Sequence, residues 1–240
     1  MNNEIYYRAK NLRKTIICRN EYLSPEMHKF FNDPEEFLSD GTCRFYKKAP
    51  SEATTVGVVS VNGKKFVVKR YNVMGFWHGL KNNFRQSRAF RSWNNSHYLE
   101  RHNICTPKPV AVLIERFGPI RGRSYFIAEY VEGTQGRDLF TKDSKPQKKW
   151  EKMFVNVAEL LEKLYAARIT HDDFQKSNMI FVDGIPVLLD LDHMRIHRYN
   201  SLWFRYHFHK DAENFLRILG ENNPEAQRMA EKFLVKSKKF

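Results

Sequence analysis

Cysteine is scarce in this chain. Only Cys18, Cys43 and Cys105 occur in 240 residues, too few and too scattered for a disulfide framework or a zinc-ligand pattern. Long apolar runs are missing too: none approaches the ~18 residues of a membrane-spanning helix. The opening MNNEIYYRAKNLRK has no apolar stretch of the secretory kind. There is no repeat of fixed period and no low-complexity tract. These absences exclude disulfide-stapled, membrane-spanning and solenoid classes, and the cytosol is the expected compartment. Acid is in deficit, with 27 Asp and Glu against 41 Lys and Arg, a net charge of +14. Such a surface attracts nucleotides, nucleic acid or anionic lipid without choosing among them. No nucleic-acid signature motif accompanies it, so no specific nucleic acid is expected.

What is present is core material. Hydrophobic residues make up 42%, including 19 Phe and 11 Tyr, enough for one large domain or two small lobes. Residues 1–40 read as polar and mixed, with Ser24-Pro25-Glu26 opening a short helix. The β-branched run Thr54–Val61 and the run Lys65–Tyr71 flank Asn62-Gly63, the strongest short hairpin signal. Residues 43–48 supply a preceding strand. Residues 85–101 form a basic helix that ends before Pro107 and Pro109. Two further strands are expected at Val110–Ile114 and Ser124–Val131.

The second half turns helical. Trp150, Phe154, Val157, Leu161, Leu164 and Tyr165 recur at helical spacing, the pattern of a core face. A polar loop at His171-Asp172-Asp173, a short strand at Met179–Val182, a turn at Asp183-Gly184 and a strand ending at Asp190 follow, with a helix over Asp211–Leu219. Leu202 to Lys210 interleaves aromatics with cations. That composition suits a lipid-headgroup boundary or stacking on a sugar, and burial beneath the helices is the expected outcome. The tail Lys236–Lys239 reads as a solvated end.

The chemistry-bearing stretch is His171 to Asn178, with Asp190 beyond it. Asp173 and Asn178 stand five residues apart, and Asp190 closes the apolar run Val187-Leu188-Leu189. Phosphoryl transfer needs a carboxylate to orient and deprotonate a hydroxyl, hard oxygen ligands for Mg²⁺, and a cation on the phosphates. Asp173 suits the first task, Asn178 and Asp190 the second, and Lys69, closing Val67-Val68-Lys69, the third. Alone, Asp173 or Asn178 is a turn or cap residue, Asp190 a strand-end carboxylate and Lys69 a solvated lysine. The ordered set carries the signal.

With Lys69-Arg70-Tyr71, Ser87-Arg88-Ala89, Thr106–Ala111, Glu129–Gly133, His171–Asn178 and Leu188–Asp192, the chain resembles the protein-kinase-like superfamily. Within it, the chain is most similar to the lipopolysaccharide core kinases that phosphorylate Kdo or heptose. The resemblance spans roughly residues 43–215. It implies an α+β, bilobal protein-kinase-like fold. Residues 1–131 would form a small antiparallel-sheet N-lobe, and residues 132–240 a mainly helical C-lobe. It implies ATP and Mg²⁺ as cofactors and a lipopolysaccharide-core or lipid A-linked sugar as acceptor. It also implies peripheral contact with the anionic inner face of the inner membrane. Asp173 would be the catalytic base, Asn178 and Asp190 the metal ligands and Lys69 the phosphate contact. Glu129 to Val131 would be the hinge whose backbone pairs with adenine.

The sequence departs from the wider kinase pattern in four places. There is no G-x-G-x-x-G, and the phosphate-covering turn would fall at Lys48–Ala53. The helix carries Ser92 where a Glu partner for Lys69 is expected, while Glu100 lies about two turns on. Position 172 is Asp, so two carboxylates are adjacent and the spacing to Asn178 selects Asp173. Gln175 stands where protein kinases place a Lys, with Lys176 beside it. An atypical protein kinase and a non-catalytic pseudokinase or basic binding module stay open as alternatives.

Overall fold

A computed structural model describes residues 5–47, 54–72, 86–117 and 120–234. The turn expected at Lys48–Ala53 and the tail Lys236–Lys239 lie outside the described residues. The chain divides into two compact units, Met1–His97 with Lys108–Tyr130, and Tyr98–Pro107 with Val131–Phe240. Helices and antiparallel sheet are mixed, as an α+β chain requires.

The first unit is built on seven antiparallel strands: β1 (Tyr6–Lys10), β2 (Lys14–Arg19), β3 (Arg44–Lys47), β4 (Thr54–Val61), β5 (Lys64–Tyr71), β6 (Pro109–Phe117) and β7 (Ile120–Glu129). Their spatial order is β1-β2-β6-β7-β5-β4-β3. The β4–β5 hairpin turns on Asn62 and Gly63, with φ of 51° and 72°, the paired left-handed conformation of a two-residue turn. Period-two alternation then sorts β5. Phe66 and Val68 join a core with Phe30, Phe31 and Leu38, whereas Tyr71 faces the opposite side with Ala89 and Trp93 of the helix Arg88–Arg101.

Residues 1–40 carry more structure than their polar composition suggests. Besides β1 and β2 they hold the helices Pro25–Asn32 and Pro34–Ser39. Ser24 Oγ accepts the Met27 N–H at 3.1 Å and caps the first; Asp33 Oδ1 accepts the Glu35 and Glu36 N–H groups and caps the second. Pro at the first position of each helix removes a donor that would otherwise be orphaned.

The second unit is mainly helical. The long helix Lys148–Ala166 buries Trp150, Phe154, Val157, Leu161 and Leu164 in a core shared with the helices Leu202–Asn222 and Pro224–Leu234. Two small antiparallel sheets accompany it: β8 (Thr134–Gln135), β10 (Met179–Val182) and β11 (Ile185–Leu188) in one, β9 (Ile169–Thr170) and β12 (Arg195–Ile196) in the other. Asp183 and Gly184, φ 50° and 84°, close the β10–β11 hairpin, and Asn156 Nδ2 donates to the Gly184 carbonyl at 2.8 Å. The helix expected over Asp211–Leu219 is longer and begins at Leu202. The aromatic segment is therefore split by helical periodicity, with Phe204 and Phe208 buried and Leu202, Trp203 and Tyr206 exposed.

Gly63 offers a clean test of the hairpin. A Cβ there would meet nothing within 4 Å, so Gly63→Ala adds only the strain of a left-handed non-glycine residue. The expected loss is about 1 kcal/mol, read from the shift in denaturation midpoint at unchanged slope.

Candidate active site

The loop after β9 is held from beneath by one buried carboxylate. Asp211 Oδ2 accepts the backbone N–H of His171 at 2.7 Å and of Asp172 at 3.2 Å. Asp211 lies on the buried stripe of its helix, between Phe208 and Phe215. Burial holds its carboxyl above the usual carboxylate range, against the two N–H groups that pull it down. The loop geometry is otherwise demanding: Asp172 adopts φ 63°. Its side chain pairs with Arg195 on β12, Nε to Oδ2 2.5 Å.

That pairing separates the two adjacent carboxylates. Asp172 is tied to Arg195, whereas Asp173 faces the other end of the loop. Asn178 Nδ2 donates to Asp173 Oδ2 at 2.8 Å and to the Asp173 carbonyl at 2.9 Å. Gln175 Nε2 donates to Asp173 Oδ1 at 2.7 Å. With its nitrogen so engaged, the amide of Asn178 has its Oδ1 to offer a hard cation. Asp190, φ 58°, follows a residue pinned to the same loop on both sides. The Leu189 N–H donates to the Asn178 carbonyl at 2.9 Å, and His171 Nε2 donates to the Leu189 carbonyl at 2.8 Å. His171 is fully buried, and this hydrogen bond assigns its ring proton to Nε2. It ties the loop to the residue before Asp190. Asp173, Asn178 and Asp190 are thus gathered on one braced loop system.

Lys176 does not act as a stand-in for the missing Lys at position 175. It is buried, and its Nζ donates to the Phe140 carbonyl inside the unit, where burial lowers its pKa. Gly136 makes this packing possible, because a Cβ there would collide with the Lys176 carbonyl oxygen. Gln175 occupies the expected position and orients Asp173 instead.

Lys69, in the first unit, pairs across β5 with Val56 on β4 and Phe126 on β7. Its Nζ lies 5.3 Å from the centre of the Tyr71 ring, and Arg88 Cζ lies 4.9 Å from the same ring. Two cations gathered at one aromatic ring make an electropositive spot suited to phosphate. Ser92, where a Glu partner was sought, is buried and hydrogen-bonded to the Tyr71 hydroxyl at 3.0 Å, so that position serves the ring. Glu100 lies further along the same helix, in the portion that belongs to the second unit.

Glu129 closes β7. Its carboxylate accepts a hydrogen bond from the Tyr22 hydroxyl at 2.7 Å, and burial, helped by this bond, raises the Tyr22 pKa. Its N–H donates to the Lys108 carbonyl, and the Tyr130 N–H donates to that of Lys65. The Glu129 side chain is therefore committed within its own unit, and Val131 opens the second unit.

Among the described residues no group of three or more His, Cys, Asp and Glu side chains is placed to hold a metal ion. A donor set of one amide oxygen and one carboxylate fits Mg²⁺ that brings water and substrate phosphate as its remaining ligands. Arg88 and Asp211 are the residues that sequence reading left without a role. Arg88 carried no periodic signal. Asp211 did: it stands in the apolar series 204, 208, 211, 215, 219, where a carboxylate needs a reason to be buried.

A model of the lipopolysaccharide kinase (Kdo/WaaP) family matches residues 46–211, more than half of the chain. No curated protein matches it.

Asp211 gives this site a measurable signature. Asp211→Ala strands two buried N–H groups and should cost about 2–4 kcal/mol in urea unfolding. Asp211→Asn keeps an acceptor in place. Because the folded-state pKa of Asp211 is raised, its contribution to stability is full below the unfolded value and is lost as pH rises through the folded one. Asp211→Asn should therefore remove a decline in stability with rising pH that the wild type shows in the acid range.

Proposed function

The chain belongs to the lipopolysaccharide kinase (Kdo/WaaP) family, and on that premise we propose that it transfers the γ-phosphoryl group of ATP to a sugar hydroxyl, of Kdo or heptose, in the lipopolysaccharide inner core. The coarser statement, a phosphotransferase of lipopolysaccharide, follows from the family itself. On this reading the sheet unit is the N-lobe of a protein-kinase-like fold and the helical unit, which also takes Tyr98–Pro107, is the C-lobe. The observation that carries the proposal is the hydrogen bond between Asn178 and Asp173.

Asp173 accepts the proton of the acceptor hydroxyl and orients the oxygen for attack. The bonds from Gln175 and Asn178 fix its carboxylate before substrate arrives. Asn178, through Oδ1, and Asp190 are the residues that would hold Mg²⁺, which would neutralise the charge on the phosphoryl group that ATP supplies. Lys69 contacts the phosphates, with Arg88 beside it as a second cation. Adenine would read the backbone at the Glu129–Val131 hinge. The Glu129 N–H is already engaged, so that residue would contribute its carbonyl. Glu100 is the acid proposed to position Lys69. The acceptor is lipid-linked, which would place the enzyme at the inner face of the inner membrane.

Protein substrates are less well served. The stretch between Asp190 and the helix starting at Leu202 contains β12 and little else, leaving no long segment to dock a peptide.

Asp173→Asn should lower ADP release from Mg·ATP and deacylated core oligosaccharide by more than ~10²-fold, the scale of a general base, with an unchanged circular dichroism spectrum. A variant that turns over at the wild-type rate would remove Asp173 from the mechanism.

A further inference from the structure

The helix Leu202–Asn222 has two faces of opposite character. Phe204, Phe208, Phe215 and Leu219 pack inward. Leu202 and Tyr206, one turn apart, point outward at 84% and 65% exposure, with Trp203 at 49%. The chain just before this helix adds Ile196 and Tyr199, also exposed. Five of the ten large hydrophobic side chains exposed among the described residues therefore fall between positions 196 and 206. That is a concentrated patch rather than the usual scatter.

The charges this segment itself carries share one sign, and the one acid paired with it is Asp172, held by Arg195. Arg195 Cζ lies 5.4 Å from the centre of the Trp203 ring, and Arg198 Cζ lies 5.2 Å from that of Tyr199. Arg205 and Lys210 are exposed on the same helix. From His193 to Lys210 there is no Asp or Glu. A face made for solvent mixes its charges. One that pairs Trp, Tyr and Leu with arginine and excludes acid complements a surface that is negative outside and apolar just beneath.

We infer that this face docks on an anionic lipid surface, with Leu202, Trp203 and Tyr206 entering the headgroup layer and Arg198, Arg205 and Lys210 meeting its phosphates. Each cation adds to the attraction of such a surface, and the aromatic rings add apolar burial with a polar tip left wet. The docking face belongs to the same unit as the candidate loop. Arg195 touches both, stacked over Trp203 and paired with Asp172 next to Asp173.

The test is co-sedimentation of the full chain, without nucleotide or sugar, with vesicles of phosphatidylcholine alone or with about one quarter phosphatidylglycerol. The anionic vesicles should bind at least ~10-fold more tightly, and ~0.5 M NaCl should weaken that binding. The double variant Leu202→Glu/Tyr206→Glu should lose at least ~10-fold in affinity for them. Should it melt at a lower temperature than wild type, Arg198→Glu alone carries the test, with a loss of ~3-fold or more. Equal binding of variant and wild type, or no binding to anionic vesicles, would overturn the inference. So would patch-dependent self-association in lipid-free solution without vesicle binding. Because neither ATP nor acceptor is in the assay, its failure leaves the phosphotransfer reading untouched.

Discussion

One buried carboxylate anchors the loop that carries Asp173 and Asn178. Asp211 sits on the inward stripe of a long helix, where an ionised group is costly unless its oxygens are engaged. It is engaged by the backbone N–H groups of His171 and Asp172, which fixes where the loop begins and lets Asp172 hold a left-handed conformation. From that fixed point the rest follows in short steps. Arg195 draws Asp172 to one side, Asn178 and Gln175 hold Asp173 on the other, and His171 reaches Leu189 to bring Asp190 into the same system.

The sheet unit solves a different problem, that of gathering positive charge where solvent would otherwise disperse it. Strand alternation puts Lys69 and Tyr71 on one face of β5, and the helix Arg88–Arg101 packs against that face through Ala89 and Trp93. The aromatic ring then serves as the common neighbour of Lys69 and Arg88, and its hydroxyl is fixed by Ser92. A serine where a glutamate was sought is thereby given a physical reason. Its short side chain is buried and bridges to the Tyr71 hydroxyl.

Much of this was legible in the sequence. Asn62-Gly63 announced the hairpin because only a few residues tolerate paired positive φ. The helix Lys148–Ala166 showed its apolar period, and Asp173, Asn178 and Asp190 stood out by order and spacing. Other parts were hidden for identifiable reasons. Strands β1 and β2 carry Arg, Lys and Tyr at half-buried positions, so they lack the apolar alternation that marks a strand. Lys176 stands beside Gln175 in the sequence, and composition cannot show that its side chain turns inward to the Phe140 carbonyl. Residues 202–210 seemed to need one fate, core or surface, and helical periodicity gave them both.

Family membership names the reaction class, and on the proposed reading the braced loop supplies a physical means of carrying it out: a carboxylate held in advance by the amides of Asn178 and Gln175. The most direct measurement is the mass spectrum of a deacylated inner-core oligosaccharide incubated with the protein, ATP and Mg²⁺. The account predicts one added phosphate group, located on a single Kdo or heptose and absent when Asp173 is replaced by Asn. Unmodified oligosaccharide in the presence of folded protein, with phosphate appearing instead on an added polypeptide, would contradict it.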